Sequence, residues 1–150
     1  MKTYVVGFVY MHTFSETGLE VLLIKKKHPS WQFDKFNGVG GHIEEGEFPA
    51  AAMQREFKEE TDCFIPAELW RLFCTLQVVD PDKKMEDNGT IYVYSTFPKT
   101  RPKIENVTDE VLYWVNVKGL DNAGTIDNLK WLVPMGCAVS PVVLTGKEVF

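Results

Sequence analysis

The sequence predicts an α/β fold with a mixed central sheet between helices. Three observations carry this expectation. Runs of strand length, rich in Val, Ile, Leu and Tyr, recur along the chain. Two stretches with helical periodicity interrupt them, near residues 50–61 and 126–137. Strands and helices alternate irregularly and Asn88-Gly89 marks a hairpin, which speaks against a purely parallel sheet.

The elements follow in order. Residues 3–11 and 19–26 read as strands joined by a turn at Ser15-Glu16-Thr17-Gly18. Lys25, Lys26 and Lys27 come next; they read as a solvated strand end, with phosphate contact open to one of them. Residues 28–37 form a loop whose Trp31, Phe33 and Phe36 either shape a pocket or close the core. Asn37 leads into Gly38-Val39-Gly40-Gly41, read as a glycine-rich turn. Backbone without a Cβ can bend sharply and approach a ligand closely.

A helix then starts near Pro49, a residue suited to a first turn. Ala50, Met53 and Phe57 share the arc that faces the core. Glu56, Glu59 and Glu60 stand at i, i+3 and i+4, on an adjacent arc of about 100°. Like charges at this spacing destabilise a bare helix by roughly a few tenths of a kcal/mol per pair. A hard divalent cation with oxygen ligands would offset that repulsion; a solvated acidic face is the plainer alternative.

Residues 67–80 read as a long, partly exposed strand, and residues 90–97 as its returning partner. After a loop, Glu110 opens a strand that ends near Val117. Residues 126–137 read as a final helix with Ile126, Leu129, Trp131, Leu132 and Val133 on its apolar side and Asp127 as its cap. Trp131 either stacks on a ligand or packs. The last residues, 140–150, are a tail or an edge strand.

Length and composition fit one domain over residues 1–150, with 45% hydrophobic and 25% charged residues. No long apolar run suggests a membrane span, and the first residues carry no signal-peptide cleavage pattern. Cys63, Cys74 and Cys137 lack metal-type spacing and are odd in number, which points to the cytoplasm. The net charge of −5 disfavours nucleic acid as a partner. It does not disfavour a small phosphate-bearing substrate, provided metal ions bridge the two negative partners. Monomer and homodimer both stay open.

The segment from Gly38 to Cys63 resembles the Nudix box, G-x5-E-x7-R-E-U-x-E-E-x-G-U, where U is bulky and aliphatic. Gly41, Glu47, Arg55-Glu56 and Glu59-Glu60 fall in register. Phe57 stands for an aliphatic residue, Asp62 for the glycine and Cys63 for the last apolar place. Because Asp enters the left-handed conformation at some cost, an altered helix end is expected there.

The resemblance implies a Nudix-type α/β/α sandwich and a hydrolase of nucleoside diphosphate linkages. It implies Mg²⁺, with Mn²⁺ as an option, held by Glu56, Glu59, Glu60 and the Gly40 carbonyl. Gly41, Glu47 and Arg55 would be structural support, the last two pairing to brace the loop on the helix. Glu110, with Asp109 as substitute, matches an acid that binds metal or activates water.

Asn37 in the run Asn-Gly-x-Gly-Gly resembles the MutT-like, oxidised purine nucleoside triphosphatase branch, where the corresponding asparagine bonds the base. Asp127, Asn128 and Trp131 lie where that branch reads the purine edge, although Asn128 replaces an acid. The implied reaction is hydrolysis of a nucleoside triphosphate, with an oxidised or otherwise non-standard base as one option, to monophosphate and pyrophosphate. The alternatives are a nucleotide-sugar, dinucleoside polyphosphate or cap hydrolase, and a non-catalytic nucleotide sensor.

Overall fold

The computed structural model describes residues 2–13, 18–82, 84, 88–138 and 144–149. Within them the strands are β1 (Lys2–His12), β2 (Leu19–Lys25), β3 (Phe36–Asn37), β4 (Val39–His42), β5 (Arg71–Val79), β6 (Gly89–Thr96), β7 (Val111–Asn116) and β8 (Leu144–Val149). The helices are α1 (Pro49–Thr61) and α2 (Leu129–Gly136). The main sheet runs β3-β2-β1-β6-β5-β8, with β4 on β1 and β7 on β2. It is mixed: β1/β6 and β5/β8 are parallel, and the other pairs are antiparallel.

Alternation along β1 sorts the core into two layers. Val5 and Val9 join Met53 and Phe57 of α1 on one face. Phe8 and Tyr10 join Leu129 and Val133 of α2 on the other. The sheet therefore lies between two helices, as the sequence predicts. Met53 and Phe57 are fully buried, and each such side chain contributes about 1.5–3 kcal/mol by leaving water. Among the described residues no helix is long and apolar enough to cross a membrane.

The local expectations are corrected at several points. Gly40 and Gly41 are not in a turn; they belong to β4, paired with Val6 and Val5 of β1. The strand expected from residue 67 begins at Arg71, because Ala67–Leu69 forms a short 3-10 turn after Pro66. The final helix starts at Leu129 with Asn128 at its N-cap, and no side chain caps it, so Asp127 does not. Backbone bonds from Phe36 N to Gly124 O (3.0 Å) and from Ile126 N to Phe36 O (3.0 Å) tie the preceding segment to β3 instead.

The chain end is an edge strand, β8. Asp62 occupies the left-handed cap at φ 56°, and its N–H donates to the Lys58 carbonyl, so the helix end is not altered. Lys58 Nζ also reaches the Asp62 carboxylate at 2.6 Å. Ser15, Glu16 and Thr17 of the first expected turn lie outside the described residues. So does most of the polar connection before Asn88.

Candidate active site

The site is built where α1 crosses β4. The register of β4 on β1 turns Gly41 toward α1 and Gly40 toward the α2 face. A Cβ on Gly41 would stand 2.5 Å from the Glu56 carboxyl carbon, and one on Gly40 would overlap the Val5 carbonyl. The two glycines thus let strand, strand and carboxylate come together.

Arg55 braces the loop on the helix. Its Nε donates to Glu47 Oε2 at 2.8 Å and its Nη2 to Glu47 Oε1 at 2.8 Å, a bidentate pair. Nη2 also donates to the His42 carbonyl at 2.9 Å. Nη1 donates to Glu56 Oε1 at 2.9 Å and to Glu59 Oε2 at 3.2 Å. The bond from Arg55 holds the Glu47 carboxyl below the usual glutamate range.

The three carboxylates of the acidic face differ in setting. Glu56 is buried, Glu60 half-buried and Glu59 exposed. Burial pushes Glu56 up against the pull of Arg55. Burial also pushes Glu60 up; Lys26 opposes this, and the charges of Glu110, Glu56 and Glu59 add to it. Glu60 Oε2 is buried and makes no hydrogen bond to a described residue.

Glu110 sits next to this group and is 6% exposed. Lys26 Nζ donates to its Oε1 at 3.0 Å; the Lys27 and His28 N–H groups donate to its Oε2 at 2.6 and 3.2 Å. Burial works against the ionised form, but these donors outweigh it and hold Glu110 below the usual range. Asp109 is exposed and pairs with His28 at 3.2 Å.

Among the described residues no three His, Cys, Asp or Glu side chains enclose a common point as they stand. Arg55 draws Glu56 and Glu59 to itself. The residues nevertheless fit a hard divalent cation. The donor set is all oxygen, Glu60 keeps a buried oxygen with no hydrogen bond, and Gly41 cradles the Glu56 carboxylate.

A cleft of about 780 Å³ runs from this point across the α2 face of the sheet. Gly40, Gly41, His42 and Lys26 line it beside the acidic helix, and Val6, Ile91, Val93 and Leu76 form an apolar floor. Asn37 and Asn128 line it. Asp127 is exposed, and Trp131 is 41% exposed on α2; neither lines the cleft. Asp127 lies in the turn before α2.

Of the loop aromatics, Trp31 lines the cleft and Phe36 packs on the core, while Phe33 stays exposed. Sequence reasoning did not separate Lys26 from its two neighbours and passed over Gln32 and the Tyr4–His42 pair. Tyr4 and His42 pack on the cleft wall, their rings tilted by 43° with centroids 4.5 Å apart. One signal for Gln32 was available: a polar residue between two aromatics, just upstream of Asn37.

Known proteins share this architecture. The mMutator MutT protein of Bacillus halodurans superposes with a TM-score of 0.74 at 18% identity, covering 100% of this chain and 90% of that one. The Ap4A hydrolase of C. elegans, in a binary complex, gives 0.62 at 16% identity, over 90% of this chain and 94% of that one. A bifunctional NMN adenylyltransferase/ADP ribose pyrophosphatase of Francisella tularensis, complexed with AMP and Mn ion, gives 0.65 at 20% identity. It is matched over 89% of this chain and 40% of its own. At these identities the likeness is one of fold. No curated protein sequence matches the chain significantly. The sequence model of the NUDIX domain matches residues 2–132.

Proposed function

The chain belongs to the NUDIX domain family, and from that premise we propose that it hydrolyses a nucleoside triphosphate to monophosphate and pyrophosphate with Mg²⁺. Membership makes it a pyrophosphohydrolase acting on pyrophosphate-containing substrates. The observation that carries the finer reading is the junction at β4. There a cleft of nucleotide size, about 780 Å³, meets the strand against which the Glu56 carboxylate lies.

Glu56, Glu59, Glu60 and the Gly40 carbonyl would hold the cation, Mg²⁺ or Mn²⁺. Such an ion neutralises phosphate oxygens and lowers the pKa of a bound water. The chain's own residues do the rest. Arg55 and Glu47 fix the loop against α1. Lys26 presents a cation at the cleft wall while holding Glu110. Glu110, kept ionised beside Glu60, or one of the three helix glutamates, takes the proton from the attacking water. Asn37 and Asn128 on the cleft wall are the substrate contacts this reading retains, and Asp127 and Trp131 contribute only if their segment moves inward. Among the described residues the three cysteines form no disulfide, which suits a reducing cytoplasm.

A second reading has one observation in its favour. The cleft continues past Gly41 to Lys2, Asp80 and Asn88, where a second group beyond the phosphates would fit, as in a dinucleoside polyphosphate. A substrate panel with Mg²⁺, scored by product identity, separates the two. Monophosphate plus pyrophosphate from a triphosphate is the expected result. Turnover of a dinucleoside polyphosphate with triphosphates untouched would replace the first reading by the second.

A further inference from the structure

We infer that Gln32 is a specificity-determining residue of the cleft: its amide, oriented by Asn37, offers a hydrogen-bond donor to a ring carbonyl on the substrate's base. This rests on the nucleotide reading above and deepens it.

The hydrogen bonds fix which end of each amide is which. The Gly38 N–H donates to Asn37 Oδ1 at 2.7 Å. A backbone N–H can only donate, so that atom is the oxygen. Asn37 Nδ2 is then the other end, and it donates to Gln32 Oε1 at 3.0 Å. An N–H needs an acceptor, so the Gln32 atom it meets is the oxygen as well. What remains is Gln32 Nε2, a group with two N–H donors and no hydrogen bond to a described residue.

The backbone of Gln32 is also held. Its N–H donates to the Pro29 carbonyl at 2.9 Å, and its carbonyl accepts from the Lys35 N–H at 2.9 Å. Asn37 gives its oxygen and one N–H to this relay, so Gln32 joins Asn37 as a base contact on the cleft wall. Both residues line the cleft, as do Trp31 and Asn128. Among the described lining residues the one carboxylate is Asp80, which is tied to Asn88 through its N–H at 3.1 Å.

A carboxylate at the position of Gln32 would accept only and would select amino groups on a base. A donor head selects an acceptor. Set against the 6-position of a purine, that donor favours a 6-oxo base over its 6-amino counterpart. Trp31, 55% exposed beside it, supplies an aromatic ring that does not distinguish the two.

Titration calorimetry on the full chain with inosine monophosphate and adenosine monophosphate tests this without requiring turnover. The wild type should bind the 6-oxo ligand about tenfold more tightly. Gln32→Glu should abolish or reverse that ratio. Asn37→Asp keeps the acceptor for Gly38 but loses the donor to Gln32, and should bring the ratio toward one with Gln32 intact. Trp31→Ala should weaken both ligands alike. A wild-type ratio near one, no binding of either ligand, or an unchanged ratio in Gln32→Glu would overturn the inference. The ratio is read within each variant, so a general loss of fold does not mimic it. A failure of the proposed reaction would show instead in the product assay, with the ratio standing.

Discussion

Gly41 lacks a side chain because the Glu56 carboxylate fills the place where one would go. Gly41→Ala should therefore push Glu56 off its seat, costing about 1–3 kcal/mol of stability and most of the turnover, as read by melting and initial rates. Glu60 presents the complementary case. It is half-buried beside Glu110 and Glu56, and its buried oxygen has no hydrogen bond among the described residues. Bound metal should relieve this, so Mg²⁺ should raise the wild-type Tm by about 2–4 °C for each kcal/mol of binding. Glu60→Gln should lose that rise and lower turnover about a hundredfold or more, with the metal-free Tm close to wild type. At this scale the acidic set was legible, because i, i+3 and i+4 spacing is visible in one dimension. Gln32 was not, because its meaning lies in a bond to Asn37, five residues on, that depends on how the loop folds back.

The element that holds the site together is the clamp of the β4–α1 loop onto α1 through Glu47 and Arg55. Arg55 lowers the Glu47 pKa, so the folded state favours ionised Glu47. The stability from this pair is complete above the ordinary glutamate range and is lost as pH falls through the folded value. Melting curves of wild type and Glu47→Gln should thus differ near about pH 6 and converge toward about pH 3. A gap that holds constant with pH would count against the clamp. At the other end of α1, Asp62 sits where glycine carries no steric penalty. Asp62→Gly should be neutral or stabilise by up to about 1 kcal/mol, with kcat unchanged, and Asp62→Ala should destabilise by a similar amount. The helix was legible from its period, and the survival of its cap was not. Sequence shows the cost of Asp at positive φ but not the Lys58 partner that reaches it. The final helix was overextended because Ile126 and Asp127 fit its pattern, while their backbone is committed to β3.

In the whole molecule, the sheet separates the two tasks. Its α1 face carries the carboxylates, its α2 face carries the cleft, and β4 is the strand through which they meet. The α/β class and the mixed sheet were readable from alternation and hairpin signals, since each strand announces its own period. Which strands pair, and therefore which distant residues share the cleft, depends on long-range register. Asn128, in the turn before α2, reaches the cleft and its neighbour Asp127 does not. In the proposed reaction the acidic face of α1, loaded with Mg²⁺, drives water attack on a phosphoric anhydride of a substrate lying in this cleft. The most direct measurement is ³¹P NMR of guanosine triphosphate and Mg²⁺ with wild type and Glu60→Gln in parallel. The expected products are monophosphate and pyrophosphate with the wild type and almost none with the variant. Diphosphate plus orthophosphate, or equal turnover by both proteins, would contradict that reaction.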